Sequence, residues 1–184
     1  MTATRLFFRQ LISRPMQISA IAPSSRFLAK AMAKDLGPQT GRVVEFGPGT
    51  GRLTEGILNA GVAPQNLTLF EMNPDFVSHL RSQFPGVTVH LAGAETAPTV
   101  VAKGVGAVIS GVPLLSMPLA LRKSVMAAAF EILAPNGFYV QFTYGPRPAL
   151  EEAELLDLGL IWAQTAYVPL NLPPARVHTF RRAR

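Results

Sequence analysis

Apolar and polar positions alternate along this chain in two periods: short runs rich in β-branched residues, and longer stretches with apolar residues three and four apart. The sharpest run, Val43-Val44-Glu45-Phe46, has the pattern of a buried strand. It passes without a linker into glycine at 47, 49 and 51, then into the helical spacing Leu53, Ile57, Leu58. A second strand is predicted from Leu67 to Glu71 and ends in a carboxylate. Beyond it the pattern predicts a helix over Pro74 to Phe84, a strand from Val87 to Leu91 and a short helix over Ala97 to Ala102. A strand from Val105 to Ser110, a helix from Leu119 to Leu133, a strand from Phe138 to Tyr144 and a helix from Ala149 to Leu158 follow, before two closing strands, Ile161 to Val168 and Arg176 to Arg182. Ahead of the glycine strand, Phe27, Leu28, Ala31 and Met32 lie at helical spacing behind Pro23 and a serine N-cap, Ser24 or Ser25, until Gly37 and Pro38 stop the helix. This alternation is that of an α/β fold with a mostly parallel sheet. Ligands of such sheets lie beyond the carboxyl ends of the strands, which selects one rim: Gly47–Gly51, Glu71–Asn73, Gly93–Glu95, Ser110–Pro113 and Tyr144–Arg147.

The glycines remove Cβ where backbone must approach a ligand, and the helix behind them offers unpaired N–H groups at its mouth. The run departs from the dinucleotide fingerprint G-x-G-x-x-G, because Arg52 holds the sixth position and Pro48 removes a donor that a pyrophosphate would use. A nucleotide without phosphates fits better. Glu71 stands about 20 residues past the glycines, the spacing at which an acid takes the ribose hydroxyls of a bound adenosine.

Length and composition narrow this picture. A chain of 184 residues, 48 % hydrophobic and 15 % charged, suits one domain with a sizeable core. Cysteine is absent, which excludes a disulfide framework and thiolate chemistry. His79, His90 and His178 lack ligand spacing, so no metal site is expected. The net charge of +6 is unevenly spread: residues 1–34 carry Arg5, Arg9, Arg14, Arg26, Lys30 and Lys34 without an acid, and residues 176–184 carry Arg176, Arg181, Arg182 and Arg184 without one. The remaining stretch is net acidic, with 7 Lys and Arg against 11 Asp and Glu. Such a split predicts an anionic partner touched by the two ends, a membrane surface or a nucleic acid.

Residues 1–14 favour the membrane. Phe7, Phe8, Leu11 and Ile12 share one helical face with Arg5, Arg9 and Ser13 opposite, and Pro15 closes the segment. No run of about 18 apolar residues exists to span a bilayer, and Arg9 interrupts what would be a signal-peptide core. A helix this short and basic predicts peripheral, reversible contact with an anionic leaflet. The same pattern also suits a terminal helix packed on its own domain. The expected division is an amphipathic membrane-contact helix over 1–14 and one domain over 15–184.

Glu45 with the alternating glycines and Glu71 resembles the cofactor motif of the S-adenosylmethionine-dependent methyltransferases. Ile21-Ala22-Pro23-Ser24-Ser25-Arg26, Glu45-Phe46-Gly47-Pro48-Gly49-Thr50-Gly51, Ser110-Gly111-Val112-Pro113-Leu114, Tyr144-Gly145-Pro146 and Asn171-Leu172-Pro173-Pro174-Ala175-Arg176 extend that likeness over nearly the whole chain. As a set they resemble the bacterial, peripherally membrane-bound phospholipid N-methyltransferases, which methylate phosphatidylethanolamine towards phosphatidylcholine. More distantly the chain is similar to the ribosomal RNA adenine dimethylases.

The resemblance implies a single-domain class I methyltransferase (Rossmann-like) fold: a mostly parallel seven-stranded sheet with helices on both faces, preceded by the amphipathic helix. It implies S-adenosylmethionine as cofactor, phosphatidylethanolamine and its mono- and dimethyl forms as substrates, and a cytoplasmic place on the inner face of the cell membrane. Cofactor contacts are implied at Glu45, Gly47, Pro48, Gly49, Thr50, Gly51, Glu71, Met72, Asn73 and Ser110. Many relatives carry Gly-Asp for the adenine amine after the third strand; this chain has Gly93-Ala94-Glu95, which moves the acid to Glu95. Ser24, Ser25 and Arg26 belong to a segment that closes over the cofactor in such enzymes, and they join Tyr144, Arg147 and Arg176 as candidate substrate contacts.

Methylation of an exocyclic base amine calls for a polar oxygen, a proline and an aromatic after the fourth strand, so that the flipped base is hydrogen-bonded and stacked. Ser110-Gly111-Val112-Pro113-Leu114 supplies neither amide nor ring, which disfavours nucleic acid; an rRNA adenine N6-methyltransferase-like activity is the alternative. Displacement at a sulfonium methyl mainly needs a neutral amine lone pair held behind the carbon. Tyr144 is the expected aromatic partner of a headgroup that grows cationic, Arg147 and Arg176 of its phosphate. Ser110 and Tyr144 are the catalytic candidates.

Overall fold

The computed structural model describes residues 25–183, so the expected helix over 1–14 and Ser24 lie outside the described residues. The chain forms a seven-stranded sheet from β1 (Val43–Phe46), β2 (Leu67–Glu71), β3 (Thr88–Leu91), β4 (Val105–Ser110), β5 (Leu133–Thr143), β6 (Leu160–Val168) and β7 (Ala175–Arg182). Their spatial order is β3-β2-β1-β4-β5-β7-β6. The first five are parallel; β7 inserts between β5 and β6 and runs antiparallel to both. The order reverses at β1, which has β2 on one side and β4 on the other, and that switch point opens a crevice at the carboxyl ends of the strands. This is the expected architecture, with the antiparallel closing pair as its one mixed feature.

Burial on both sheet faces explains why the strands read as continuous apolar runs. Adjacent strand residues point to opposite faces: Val43 joins the core with Leu28, Ile57, Leu69 and Leu80, while Val44 and Phe46 join that with Phe70, Met126, Phe130 and Tyr139. Helices α1 (Arg26–Met32), α2 (Arg52–Asn59) and α3 (Pro74–Gln83) cover the first face, α4 (Leu119–Ile132) and α5 (Glu152–Asp157) the second. Of the two serines offered as N-cap for α1, Ser25 is described, and its hydroxyl accepts from the Leu28 N–H at 3.2 Å. Asn73 caps α3, accepting from Asp75 N–H at 2.8 Å ahead of Pro74. No helix among the described residues is long and apolar enough to cross a membrane.

Two predicted helices shift, and the strand expected from Phe138 already begins at Leu133. The short helix expected over Ala97–Ala102 is a 3-10 segment over Ala94–Thr99, started by Thr96, whose hydroxyl donates to the Gly93 carbonyl at 2.7 Å, and containing Pro98, which has no N–H to carry a longer helix. The helix expected from Ala149 begins only at Glu152, because Ala149 and Leu150 are spent in the core and the Glu151–Glu154 capping box defines the start.

Candidate cofactor and substrate site

Three loops leave the sheet together at the switch point. Gly47 N–H donates to the Phe70 carbonyl at 2.9 Å and Gly111 N–H to the Phe46 carbonyl at 2.8 Å, so the ladder continues past β1 and fixes the spacing of the loops. The three alternating glycines then differ in purpose. A Cβ on Gly47 would meet Val112 Cγ2 at 3.0 Å, and one on Gly51 would meet Phe84 Cε2 at 2.5 Å. At Gly49 it would meet nothing within 4 Å, although φ there is +54°. Gly47 and Gly51 are thus required by packing, whereas Gly49 borders open space. Pro48 is buried between them and Thr50 is exposed.

Glu71 binds the glycine loop to the end of β2. Its Oε1 accepts from the N–H groups of Met72 and Asn73, both at 2.8 Å, and its Oε2 from Gly49 N–H at 3.1 Å. Of the roughly four acceptor positions of a carboxylate, these bonds use three. Glu45, on the same sheet face as Val43, is fully buried, with Oε2 accepting from the Thr54 hydroxyl at 2.7 Å and Oε1 without a partner among the described residues. Burial pushes its carboxyl up to about 8; the Thr54 hydrogen bond opposes the shift and the neighbouring Glu71 charge adds to it. Farther along the rim, a Cβ on Gly93 would lie 2.5 Å from both carboxylate oxygens of Glu95, so the glycine makes room for Glu95 to fold back over the β3 loop beside buried Ala94.

On the other side of β1 the rim rests on buried polar groups. Gln141 in β5 donates to the Val112 carbonyl at 2.9 Å and the Phe142 carbonyl at 3.1 Å, and accepts from the Tyr139 hydroxyl at 2.7 Å. Burial raises the Tyr139 hydroxyl above its ordinary range, against a hydrogen bond with Ser110. Ser110 is itself fully buried, with Oγ accepting from Val112 N–H at 3.3 Å. The register that pairs Ser110 with Gln141 turns its side chain into the sheet's packed face, where it supports the loop after β4 from beneath. Thr143 donates from its hydroxyl to the Gly145 and Arg147 carbonyls at 2.9 and 3.1 Å and lies 3.0 Å from His178 Nε2. With the hydroxyl proton so committed, Nε2–H is the donor to Thr143 and Nδ1 stays unprotonated and unpartnered. Burial, and next the Arg176 charge, push His178 down to about 4.

Tyr144 follows directly, half-buried, its ring 5.4 Å from Phe142; burial raises its hydroxyl, against a hydrogen bond with Asn171. Arg147 is exposed, Arg176 lies 5.1 Å over the Tyr167 ring, and Arg26 lies 5.0 Å over Phe27. Asn171 joins α1 to this side by accepting from Ser25 N–H at 2.9 Å. The structure thus brings Glu45, the glycines, Glu71, Met72, Asn73 and Gly93 to Glu95 to one end of the rim, and Ser25 at the start of α1, Tyr144, Arg147 and Arg176 at the start of β7 to the other. Gln141, Thr143, His178 and Asn171 are supporting residues that the sequence reading gave no role; their signal is a polar residue inside an apolar run, which must find partners when buried. A hollow of about 480 Å³, lined by Leu36, Pro38, Thr40, Asn136 and Phe138, lies at the opposite, amino end of the sheet.

No protein-family model matches the chain. Over 191 residues it is 26 % identical to an ornithine lipid N-methyltransferase of Singulisphaera acidiphila, covering 96 % of this chain and 94 % of that protein. Among solved structures it is similar to the 1,6-didemethyltoxoflavin N1-methyltransferase of Burkholderia thailandensis, which holds S-adenosylhomocysteine, with a TM-score of 0.68 and 15 % identity over 98 % of this chain and 89 % of that one. It is likewise similar to a TehB-like S-adenosylmethionine-dependent methyltransferase of Corynebacterium glutamicum, with a TM-score of 0.63 and 13 % identity over 97 % and 96 %. The chain has the class I S-adenosylmethionine-dependent methyltransferase fold.

Proposed function

We propose that this chain is an S-adenosylmethionine-dependent N-methyltransferase that acts on the primary amine of a membrane lipid, with phosphatidylethanolamine and its mono- and dimethyl forms as substrates on the way to phosphatidylcholine. The observation that carries the lipid reading is the likeness, along nearly the whole chain, to a protein named for N-methylation of ornithine lipid. Ornithine lipid and phosphatidylethanolamine both present an amine at a bilayer surface.

The residues of the rim fit the cofactor. Gly49 leaves room where backbone and ligand would meet, Glu71 retains acceptor capacity for a ribose, and Glu45 keeps one carboxyl oxygen without a partner among the described residues. Met72, Asn73 and Glu95 would complete the nucleoside end. When bound, this cofactor supplies a methyl group on a positively charged sulfur. What the chain must contribute is an amine without its proton, dry surroundings and a fixed approach. Arg147 and Arg176 lie on the substrate side of the rim, and residues 158–184 contain no acid, so the local charge disfavours an ammonium and favours the neutral amine. Tyr144 offers a ring face to the headgroup as methyls accumulate, with the two arginines for its phosphate. Among the described residues no His or carboxylate is hydrogen-bonded to Tyr144, and water at the mouth or a backbone carbonyl would take the amine proton. Residues 1–14 would hold the protein reversibly on the anionic inner face of the cell membrane.

The loop after β4 gives the nucleic-acid alternative little to work with: Val112 and Leu114 are buried in it and no aromatic is present. The test is methyl transfer from labelled S-adenosylmethionine by the full chain, offered in parallel phosphatidylethanolamine vesicles, ornithine lipid vesicles and RNA. Label in phosphatidylethanolamine is expected. Label confined to ornithine lipid would overturn that substrate and keep the lipid amine, and label in RNA alone would overturn both. Removal of residues 1–14 should leave cofactor affinity unchanged while vesicle flotation and activity on bilayers fall; undiminished flotation would refute the role given to that segment.

A further inference from the structure

The loop joining β6 to β7 is built in an unusual way. Asn171 at its centre is only 3 % exposed, while Leu170 and Leu172 on either side are 67 % and 84 % exposed. The asymmetry follows from the hydrogen bonds of Asn171: Oδ1 accepts from Ser25 N–H at 2.9 Å, Nδ2 donates to the Pro173 carbonyl at 2.7 Å, and its N–H closes a turn on Val168 at 3.3 Å. A side chain tied inward at 171 sends its neighbours outward. Pro169, Pro173 and Pro174 restrict the backbone around them, so the leucines are held in position and cannot easily fold back onto the domain. Single exposed leucines are ordinary on protein surfaces. Two of them held out by a buried polar anchor are not explained by folding, since polar residues at 170 and 172 would serve the loop better in water.

The surroundings indicate what covers them. Arg176 pairs with Thr143 across β7 and β5, which puts this loop on the carboxyl rim next to Tyr144. Exposed Tyr167, with Arg176 5.1 Å over its ring, forms a collar below the leucines, and Arg26 and Phe27 follow the Ser25 contact on the α1 side. No Asp or Glu occurs in residues 158–184 or 1–34. An apolar tip, an aromatic and basic collar and flanking sequence without acid match the depth profile of an anionic bilayer: acyl chains, then the headgroup level that tyrosine favours, then phosphates. A protein partner would need complementary shape and some acid-pairing specificity; this tip is small, convex and of one sign.

We propose that the β6–β7 loop is a membrane-insertion tip, with Leu170 and Leu172 entering the headgroup–acyl boundary of an anionic leaflet and Arg176 and Arg26 on its phosphates, so that the rim bearing Tyr144 rests at the level of the lipid amine. This deepens the lipid-amine reading and rests on it for the biological role, while the contact itself is separately measurable. It adds a second point of attachment to the one proposed for residues 1–14.

The chain has no cysteine, so the full protein with L172C takes a single environment-sensitive dye; K103C, just before β4 at the amino end of the sheet, is the control. With vesicles of phosphatidylethanolamine and phosphatidylglycerol, the dye at 172 should shift to the blue and be quenched by a lipid-borne quencher, and the dye at 103 should not respond. The double variant L170S/L172S should lose on the order of tenfold in vesicle partition, with cofactor affinity unchanged. A silent dye at 172 on floating protein, a dye already blue-shifted before vesicles are added, or full partition of the double-serine variant would each overturn the proposal. Methylation of lipid dispersed in detergent micelles separates the two readings. A responsive dye without lipid methylation keeps the surface and removes the substrate, and methylation with a silent dye does the reverse.

Discussion

The glycine loop yields a test that distinguishes a ligand cradle from a packing requirement, using two substitutions of the same chemistry two residues apart. Gly49→Ala adds a methyl group where no heavy atom lies within 4 Å, at φ +54°. Its cost to folding is the left-handed backbone alone, about 1–2 kcal/mol. At roughly 2–4 °C per kcal/mol for a domain of this size, the melting temperature should fall by about 2–8 °C. Gly51→Ala carries the same kind of strain at φ +86° and in addition drives its Cβ to 2.5 Å from the Phe84 ring and 3.2 Å from Leu80. Overpacking of that sort adds about 1–3 kcal/mol, so the combined loss is on the order of 2–5 kcal/mol and the melting temperature should fall by about 4–20 °C. Binding should rank the other way. The methyl at 49 occupies the space assigned to the cofactor, and affinity for S-adenosylmethionine should drop by about tenfold or more, equivalent to at least roughly 1.4 kcal/mol. The methyl at 51 points into Phe84, and affinity measured well below its melting temperature should change little. Thermal melts followed by circular dichroism and calorimetric titration give both quantities on the same samples. Wild-type affinity in Gly49→Ala would refute the placement of the cofactor against this loop, and equal stabilities would refute the separation of roles.

Glu71→Ala should abolish measurable S-adenosylmethionine binding in the same titration while the fold persists, because the three N–H groups it releases lie at a half-open rim where water replaces it; retained affinity would remove Glu71 as the ribose acid. Gln141→Leu removes one hydrogen bond from the Val112 carbonyl, which keeps Leu114 N–H, and one from the Tyr139 hydroxyl, which keeps Ser110, at about 0.5–1.5 kcal/mol each, so the urea midpoint should fall, and an unchanged midpoint would show that this network contributes nothing. Two buried groups give opposite pH windows. His178 titrates at about 4 in the fold against 6.5 ordinarily, so the unfolded chain takes up its proton first and stability falls as pH drops from 6.5 towards 4. Glu45 titrates at about 8 against 4.5, so the fold keeps its proton longer and stability falls as pH rises from 4.5 towards 8. Urea melts of the cofactor-free protein at pH 5, 6.5 and 8 should show both slopes, and Glu45→Gln should remove the alkaline one; parallel curves for wild type and variant would refute the buried, protonated state.

Local pattern alone determined much of this molecule. Strand and helix periods located every strand, the early start of β5 at Leu133 apart, within one residue or so, because a strand buried on both faces must be apolar throughout and a helix on a sheet must be apolar on one side. The same linear order placed Glu71 at the end of β2, since a chain leaving the sheet at its carboxyl edge turns polar there. Where a local signal had equals, as with Ser24 and Ser25, or where the proline in Ala97–Pro98 competed with helical spacing, the sequence left the matter open or misplaced the element. Tertiary structure decided what each residue meets. Three glycines identical in sequence became two packing necessities and one open cradle, because Val112 and Phe84 arrive from distant segments. Ser110 turned inward because β5 lies beside β4 with Gln141 opposite, and Gln141, Thr143 and His178 became supports of the rim because β7 inserts between β5 and β6. A one-dimensional pattern records which side of an element is apolar; it does not record the partner across the sheet. The unpartnered oxygen of Glu45 and the outward leucines flanking Asn171 exist only once those partners are in place.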